Sequence, residues 1–222
     1  MKLSVRGEEL KFDLSLYLVT DSGGRDEAEF LGIITQACEG GVTLVQLREK
    51  ERSGREYYDL AVKVKAVTDR FKIPLIIDDR VDVAMACGAA GVHLGQSDLP
   101  IGAARAIMGP DMIIGATAKT VEQARLAESE GADYLGVGAI YPTTTKVVTV
   151  ITPVATLTDI TKNVSIPAVA IGGLNAGNLE ILSGSGASGI AVVTAIMNSG
   201  NPKEASAELR RLVEKGCRSH PI

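Results

Sequence analysis

Short apolar runs rich in Val, Ile and Leu alternate along the chain with longer amphipathic stretches. Eight runs have the length and composition of buried strands: residues 16–19, 44–47, 75–77, 92–94, 112–114, 134–137, 168–171 and 190–193. The stretches between them predict helices, among them residues 27–39, 55–71, 121–130 and 202–215. Strands that are apolar on both faces and separated by helices indicate a parallel sheet made of βαβ units.

The residues that precede the predicted strands follow a regular pattern. Runs two, four, six and eight each follow a glycine, which ends a helix by adopting the left-handed conformation. Runs three, five and seven each follow a proline, which fits the start of a strand but breaks a helix. Eight such units in 222 residues predict an α/β fold, a closed (β/α)8 TIM barrel. We expect one domain over residues 1–222, with residues 1–15 as an N-terminal extension.

An open, doubly wound sheet is the alternative arrangement of βαβ units. Such a sheet usually carries a glycine-rich phosphate fingerprint after its first strand, and residues 20–24 do not match that fingerprint. Residues 184–189 do match G-x-G-x-x-G, but they precede a predicted strand, whereas the fingerprint must follow one. We therefore interpret residues 184–189 as a helix stop and turn, and we favour the closed barrel.

Composition limits the classes of partner. A net charge of −4 and a pI near 5.3 leave no overall basic field for a nucleic-acid backbone. No apolar run approaches the roughly 20 residues that cross a bilayer, and the charged N-terminus is unlike a signal peptide. We expect a cytoplasmic protein that binds small molecules, with no nucleic-acid or membrane partner. The oligomeric state stays open, a homo-oligomer included.

The cysteines and histidines exclude several kinds of site. The three cysteines are far apart and form no Cys-x-x-Cys motif, so we expect no disulfide framework or zinc site. Cys38 and Cys87 lie on apolar helical stretches, and we interpret them as small core residues. Only two histidines are present, which excludes a multi-histidine metal site. A hard cation held by carboxylates remains compatible with the sequence.

Polar residues cluster where the predicted strands end, which is where barrels gather their chemistry. The second strand ends with Gln46, Arg48 and Lys50, which a period of two places on one face. Val45 and Leu47 then lie on the opposite face. Three donors that point into a barrel mouth would form an anion clamp. A solvated strand end is the alternative, but the strict alternation after a buried run favours the clamp.

Acidic residues follow the next two strands. Asp78 and Asp79 end the third strand, and Asp98 follows the fourth. Two carboxylates from adjacent strand ends can hold one Mg²⁺, which takes few protein ligands besides substrate phosphate oxygens. A helix cap, or pairing of Asp79 with its neighbours, is the alternative. The neighbouring anion clamp favours the metal site.

The remaining strand ends carry hydroxyls, lysines and glycines that suit phosphate oxygens. They are Thr117, Lys119, Thr143, Thr144, Thr145, Lys146, Gly172, Gly173 and Thr194. Val193 ends the eighth strand beside Thr194, where backbone amides of the seventh and eighth loops usually bind phosphate. Ordinary turn chemistry is the alternative for the threonines. His93 lies in the middle of the fourth strand, and we interpret it as a hydrogen-bonded core histidine that would touch substrate only if it faces the lumen.

Together these residues resemble the thiamine phosphate synthase (thiamine-phosphate pyrophosphorylase) family, from Leu16 to about Val213. Five motifs carry the resemblance: residues 46–50, 78–82, 91–98, 142–146 and 171–174. The resemblance implies a (β/α)8 barrel and a transferase that joins a pyrimidine methyl diphosphate to a thiazole phosphate, using Mg²⁺ and releasing diphosphate. It also implies a dissociative reaction, in which the diphosphate leaves first and the thiazole nitrogen captures the resulting cation.

The resemblance assigns roles to residues of this chain. Those implied for the pyrimidine diphosphate are Gln46, Leu47, Arg48, Glu49, Lys50 and Lys146, with Asp78 and Thr117 as further substrate contacts. Those implied for the thiazole phosphate are Thr143, Thr144, Thr145, Gly172, Gly173, Val193 and Thr194. The implied catalytic residues are Arg48, Lys50, Lys146 and Thr117, and the implied Mg²⁺ ligands are Asp79 and Asp98.

Three positions depart from the common pattern of the family. Asp78 stands where asparagine is frequent, Thr117 where serine is frequent, and Lys119 where histidine is frequent. Three other functions are alternatives: a metal-free thiazole tautomerase of the same fold, a phosphosugar epimerase or isomerase, and a sensor that binds thiamine intermediates without turnover. The complete donor sets at residues 46–50 and 143–146 favour the synthase.

Overall fold

Parallel strands form a closed ring of eight in the part of the chain that this computed structural model describes, residues 4–5, 8–9, 12–143 and 151–216. They are β1 (Leu16–Val19), β2 (Leu44–Leu47), β3 (Leu75–Asp78), β4 (Gly91–Leu94), β5 (Ile113–Ala118), β6 (Tyr134–Gly138), β7 (Ala168–Ile171) and β8 (Gly189–Val192). Each strand pairs with its neighbours in sequence, and Ile190 of β8 pairs with Leu16 of β1 to close the ring. The predicted (β/α)8 barrel is confirmed.

Helices cover the outside of the ring. They are α1 (Glu27–Glu39), α2 (Gly54–Arg70), α3 (Val81–Cys87), α4 (Ile101–Met108), α5 (Val121–Ser129), α6 (Val154–Asn163), α7 (Thr194–Met197) and α8 (Pro202–Gly216), with a 3₁₀ turn at Leu179–Leu182. None of the helices in the described ranges is both long and apolar enough to cross a membrane. Before the barrel, Ser4–Val5 and Glu8–Glu9 form an antiparallel pair.

The predicted elements are present, with ends that differ by at most one residue except in β5. We predicted that β5 spans residues 112–114, but it runs from Ile113 to Ala118. Its second half contains Gly115, Ala116 and Thr117, whose small side chains give little apolar signal. The prediction for this strand was therefore too short, and Thr117 lies within the strand.

Local capping explains where several helices begin and end. The Asp26 carboxylate accepts a hydrogen bond from the backbone amide of Glu29 at the start of α1. Ser53 and Glu56 exchange hydrogen bonds as a capping box at the start of α2. Gly88 has φ of 67° and ends α3 in the left-handed conformation, as its place before a strand predicted.

Two apolar cores hold the barrel together. One lies between the strands and the helices; it includes Cys38 and packs against Cys87, as predicted. The other fills the lumen and consists of Leu14, Tyr17, Val19, Leu44, Ile76, Ile113, Tyr134, Val169 and Ala191. Phe12 meets Tyr134 edge-on, with ring centroids 5.7 Å apart, and covers the amino-terminal end of the lumen.

Candidate active site

A cavity of about 570 Å³ lies at the carboxyl ends of the strands, and every strand of the ring contributes to its wall. This is the end at which (β/α)8 barrels carry their active sites. Twelve of the predicted site residues line the cavity: Gln46, Arg48, Lys50, Asp78, Asp79, Asp98, Thr117, Thr143, Gly172, Gly173, Val193 and Thr194. Residues far apart in sequence therefore meet in one place.

Five predicted residues do not contribute described side chains to this wall. Leu47 is fully buried in the core between strands and helices. The Glu49 carboxylate accepts hydrogen bonds from Ser22 at 3.0 Å and Arg52 at 3.1 Å. Strand alternation turns both side chains away from the cavity, so any substrate contact would come from their backbone. Thr144, Thr145 and Lys146 lie outside the described residues.

The cations that follow β2 face carboxylates at the end of β3. Lys50 Nζ lies 2.8 Å from Asp78 Oδ2 and also contacts Asp79. Arg48 Nε lies 3.8 Å from the same Asp78 oxygen. The predicted alternation is confirmed, because Gln46, Arg48 and Lys50 share the cavity wall. In this arrangement Lys50 and Arg48 face the protein's own carboxylates.

Burial and neighbouring charges shift the pKa values of Asp78 and Lys50. Burial is the largest influence on Asp78, and together with the charge of Asp79 it raises the pKa of Asp78 against the opposing charges of Lys50 and Arg48. Burial disfavours the Lys50 ammonium, but Asp78 and Asp79 outweigh that effect and raise the pKa of Lys50. Lys50 is therefore a cation at neutral pH, and an incoming anion must compete with Asp78 for it.

Asp79 and Asp98 place two carboxyl groups against each other at the edge of the cavity. Asp79 has φ of 60°, a left-handed conformation that Asp adopts more readily than most residues. Its amide donates to the His93 carbonyl at 2.9 Å. The Asp98 carboxylate accepts from the Gly95 amide at 2.6 Å. Burial, followed by the hydrogen bond and charge of Asp79, raises the pKa of Asp98.

This carboxyl pair fits a divalent cation. Two facing carboxyl groups need a proton or a cation between them to be stable at close range. In the described part of the chain, no group of three or more His, Cys, Asp or Glu side chains is arranged as a metal site. Two carboxylates suit Mg²⁺, because it completes its coordination with water and phosphate oxygens.

A hydrogen-bonded chain of polar side chains crosses the floor of the cavity. Gln46 donates to the Tyr17 hydroxyl at 2.7 Å, and that hydroxyl lies 2.8 Å from the Tyr134 hydroxyl. His93 Nδ1 lies 3.1 Å from the Tyr134 hydroxyl, and His93 Nε2 lies 3.0 Å from Thr117 Oγ1. His93 is hydrogen-bonded as predicted, but it is only partly buried and its ring lines the cavity, so it is not the core residue that we expected.

Several lining residues were not predicted as site residues. Tyr17 is one of them. The sequence did contain two indications: Tyr17 lies two residues before Val19, hence on the same face of β1, and it carries the only hydroxyl of an apolar strand. Gln96 lines the cavity and donates to the Thr117 carbonyl at 2.6 Å. Lys119, which the sequence did indicate as a phosphate candidate, also lines the cavity, so a cation is present where the resemblance leads us to expect histidine.

The Gly172–Gly173 pair is required by close packing at the cavity rim. Both residues have positive φ, 103° and 65°. A Cβ on Gly172 would lie 2.4 Å from Ala139 Cβ, and one on Gly173 would lie 2.6 Å from Tyr141 Cβ. Only glycine lets the loop after β7 approach the loop after β6 this closely.

The fold and the site define a class of protein. A closed (β/α)8 barrel with cations and a carboxyl pair at the carboxyl ends of its strands is typical of barrel enzymes that bind phosphorylated small molecules.

Comparisons with known proteins identify the family within that class. The family model described as thiamine monophosphate synthase matches residues 16–196. The thiamine-phosphate synthase of Lacticaseibacillus paracasei is 53% identical over 84% of this chain and 88% of its own length. That of Methanobrevibacter smithii is 49% identical over 89% and 94%. The solved thiamine phosphate pyrophosphorylase of Pyrococcus furiosus superposes with a TM-score of 0.82 at 39% identity, over 91% of this chain and 96% of that one. This chain belongs to the thiamine monophosphate synthase family, a family of transferases, as its motifs predicted.

Proposed function

We propose that the protein is a thiamine phosphate synthase. It transfers the pyrimidinylmethyl group of 4-amino-2-methyl-5-(diphosphomethyl)pyrimidine to the ring nitrogen of thiazole phosphate. The bond between the methylene carbon and the diphosphate oxygen breaks, a carbon–nitrogen bond forms, and diphosphate leaves. The observation that carries the proposal is the meeting of Arg48 and Lys50 with Asp79 and Asp98 in one cavity of a family member.

The residues of the chain act mainly on the charge of the leaving group. In a dissociative reaction, negative charge grows on the diphosphate as the methylene carbon becomes cationic. Arg48, Lys50 and Lys146 neutralise that charge, and each well-placed donor contributes about 3–4 kcal/mol. Lys50 exchanges its contact with Asp78 for the diphosphate, and Thr117 contacts the pyrimidine.

Asp79 and Asp98 would hold Mg²⁺, which when bound supplies Lewis-acid neutralisation of the diphosphate oxygens. The Gly95 amide keeps the Asp98 carboxylate oriented for this role. Both ligands follow adjacent strands, β3 and β4, so the pair is held by the frame of the barrel.

The opposite side of the cavity takes the second substrate. We propose that thiazole phosphate binds to Thr143, Thr144, Thr145, Gly172, Gly173, Val193 and Thr194. Backbone contacts from Leu47 and Glu49 complete the diphosphate side. We further propose that the protein acts in the cytoplasm on these two small molecules, without nucleic acid or membrane.

The first test measures diphosphate release from the purified protein. It uses both substrates with MgCl₂, both with EDTA, and each substrate alone. We expect release only with both substrates and the metal. No release from the mixture of both substrates with MgCl₂, or release that EDTA leaves unchanged, contradicts the proposal and points to the metal-free tautomerase or the sensor.

A matched pair of arginine variants separates catalysis from stability. Arg48 lines the cavity, whereas Arg52 lies four residues further on and pairs with Glu49. We expect Arg48→Ala to lower turnover about 100-fold or more and Arg52→Ala to leave it nearly unchanged. The same proteins are unfolded in urea. Unfolding of Arg48→Ala at ambient temperature, or equal loss of turnover in both variants, argues against the assigned role.

A further inference from the structure

The peptide that joins Leu47 to Arg48 is held on both sides by buried hydroxyl groups. The Leu47 carbonyl accepts a hydrogen bond from the Tyr57 hydroxyl at 2.6 Å. The Arg48 amide donates to Thr20 Oγ1 at 3.2 Å. Tyr57 and Thr20 are 1% and 0% exposed. Because β2 ends at Leu47, these hydroxyls fix the first peptide beyond the strand.

The Tyr57 hydroxyl also reaches the neighbouring strand. The hydroxyl lies 3.2 Å from the carbonyl of Asp78, which is the last residue of β3. The single proton of the Tyr57 hydroxyl is therefore shared between the ends of two strands. Arg48 is the first residue after β2, and Asp79 is the first residue after β3. One hydroxyl outside the cavity thus joins the strand that carries the cations to the strand that carries a proposed metal ligand.

The hydroxyl is separable from the packing of its ring. Tyr57 lies on the buried face of α2 with Leu60, Ala61 and Val64, which hold that helix on the barrel. Phenylalanine would fill the same space and lack only the hydrogen bonds. Tyr58, the next residue, is half-buried and does not line the cavity, so it offers a matched control.

We propose that Tyr57 and Thr20 are positioning residues of the anion site. They orient the peptide that joins Leu47 to Arg48, and with it the segment that continues to Lys50. Tyr57 also sets the separation between this segment and Asp79. Neither residue touches the reacting atoms. The inference rests on the proposed function only in that the cavity binds diphosphate together with Mg²⁺.

The test compares Tyr57→Phe and Thr20→Val with Tyr58→Phe and Val64→Ala in the full chain. Calorimetry gives the Kd of inorganic diphosphate in MgCl₂, urea unfolding gives stability, and the assay gives kcat and KM. We expect each of the first two variants to weaken diphosphate binding about 10-fold, the size typical of lost supporting hydrogen bonds around a metal site. We expect Tyr58→Phe to match the wild type. Val64→Ala should unfold at lower urea concentration yet keep the wild-type Kd.

The outcomes separate this inference from the proposed function. A lower unfolding midpoint with unchanged Kd, kcat and KM in Tyr57→Phe makes the hydroxyl a stability contact and overturns the inference. If the wild type binds diphosphate yet forms no thiamine phosphate, the proposed function fails. If Tyr57→Phe then binds diphosphate more weakly than the wild type does, the inference is still supported. A wild-type protein that binds no diphosphate contradicts both.

Discussion

The charged residues of the cavity balance one another, although the whole chain carries a net charge of −4. Among its described lining residues, the carboxylates of Asp78, Asp79 and Asp98 stand against the cations Arg48, Lys50 and Lys119. Asp78 and Asp79 both contact Lys50, and Asp78 also lies near Arg48, so Asp78 competes with an anionic ligand for both cations. Its burial raises its pKa and makes its charge costly.

Asp78→Asn tests this competition. The amide can still accept a hydrogen bond from Lys50, but it removes a negative charge about 4 Å from Arg48. We expect the Kd of inorganic diphosphate with MgCl₂ to fall about 10-fold, which corresponds to about 1.4 kcal/mol. Calorimetry measures the change. Asp82→Asn, which alters an exposed carboxylate paired with Arg80, is the control. Weaker binding in Asp78→Asn would show that its carboxylate supports the ligand.

Asp13 gives a prediction for acid stability. Burial opposes its ionisation, but hydrogen bonds from Ser15 and the charge of Arg210 outweigh burial and lower the pKa of Asp13 from its ordinary value of 3.8. Because the folded pKa lies below the unfolded one, the stabilisation is present above pH 3.8 and is lost as the pH falls through the folded pKa.

We expect Asp13→Asn to lower the free energy of unfolding near pH 7 by about 1 kcal/mol or less, because the carboxylate is about half exposed. The difference from the wild type should shrink below pH 3.8. Urea unfolding across this range measures it, with the exposed Asp59→Asn as the charge control. A difference that stays constant down to the lowest pH contradicts the assignment.

At the scale of the elements, glycines in the strands make room for the large polar side chains of the lumen. A Cβ on Gly115 of β5 would lie 2.2 Å from the Tyr134 ring and 2.5 Å from His93 Nδ1. A Cβ on Gly136 of β6 would lie 3.1 Å from the His93 ring. The hydrogen-bonded floor of the cavity therefore depends on neighbouring strands that lack side chains at these positions.

Two glycine-to-alanine variants should change stability in opposite directions. Gly115→Ala forces Tyr134 and His93 apart and should lower the free energy of unfolding by about 1–3 kcal/mol. Gly32→Ala lies within α1, where a Cβ meets nothing within 4 Å, and should raise it by about 0.5–1 kcal/mol. Urea unfolding compares both with the wild type. Equal effects would show that space at Gly115 is not limiting.

For the whole molecule, we expect the barrel to unfold as one cooperative unit, because its ring of strands is closed. Each strand of the barrel pairs with two neighbours, and the cavity draws residues from every strand. A ligand of the cavity therefore stabilises the entire barrel by binding only to the folded state. One domain over residues 1–222 stays a prediction.

Calorimetric unfolding with inorganic diphosphate and MgCl₂ tests this expectation. We expect one transition, which shifts as a unit and gains about 2.7 kcal/mol when the ligand is at 100 times its Kd. Sodium sulfate at matched ionic strength is the control for salt. A second transition that the ligand leaves in place would reveal an independent domain.

The sequence by itself determined the strands of the barrel, four of the eight described helices and the predicted donors of the site. These features depend on residues close together in the chain: apolar runs, the glycines and prolines before strands, and the alternation of Gln46, Arg48 and Lys50. The ends of adjacent strands predicted a carboxylate site from Asp78, Asp79 and Asp98, and the family resemblance selected Asp79 and Asp98 among them. The short prediction for β5 shows the limit of this approach, since small residues give little apolar signal.

Only the tertiary structure decided how those donors are held. Tyr17 and Tyr134 share a hydrogen bond although 117 positions separate them in sequence, and Asp78 pairs with Lys50 across two strands. The contacts of Tyr57 and Thr20 with one peptide likewise join three segments of the chain. Side-chain type and local periodicity specify where a residue points, but partners brought together by ring closure depend on distances that no local pattern contains.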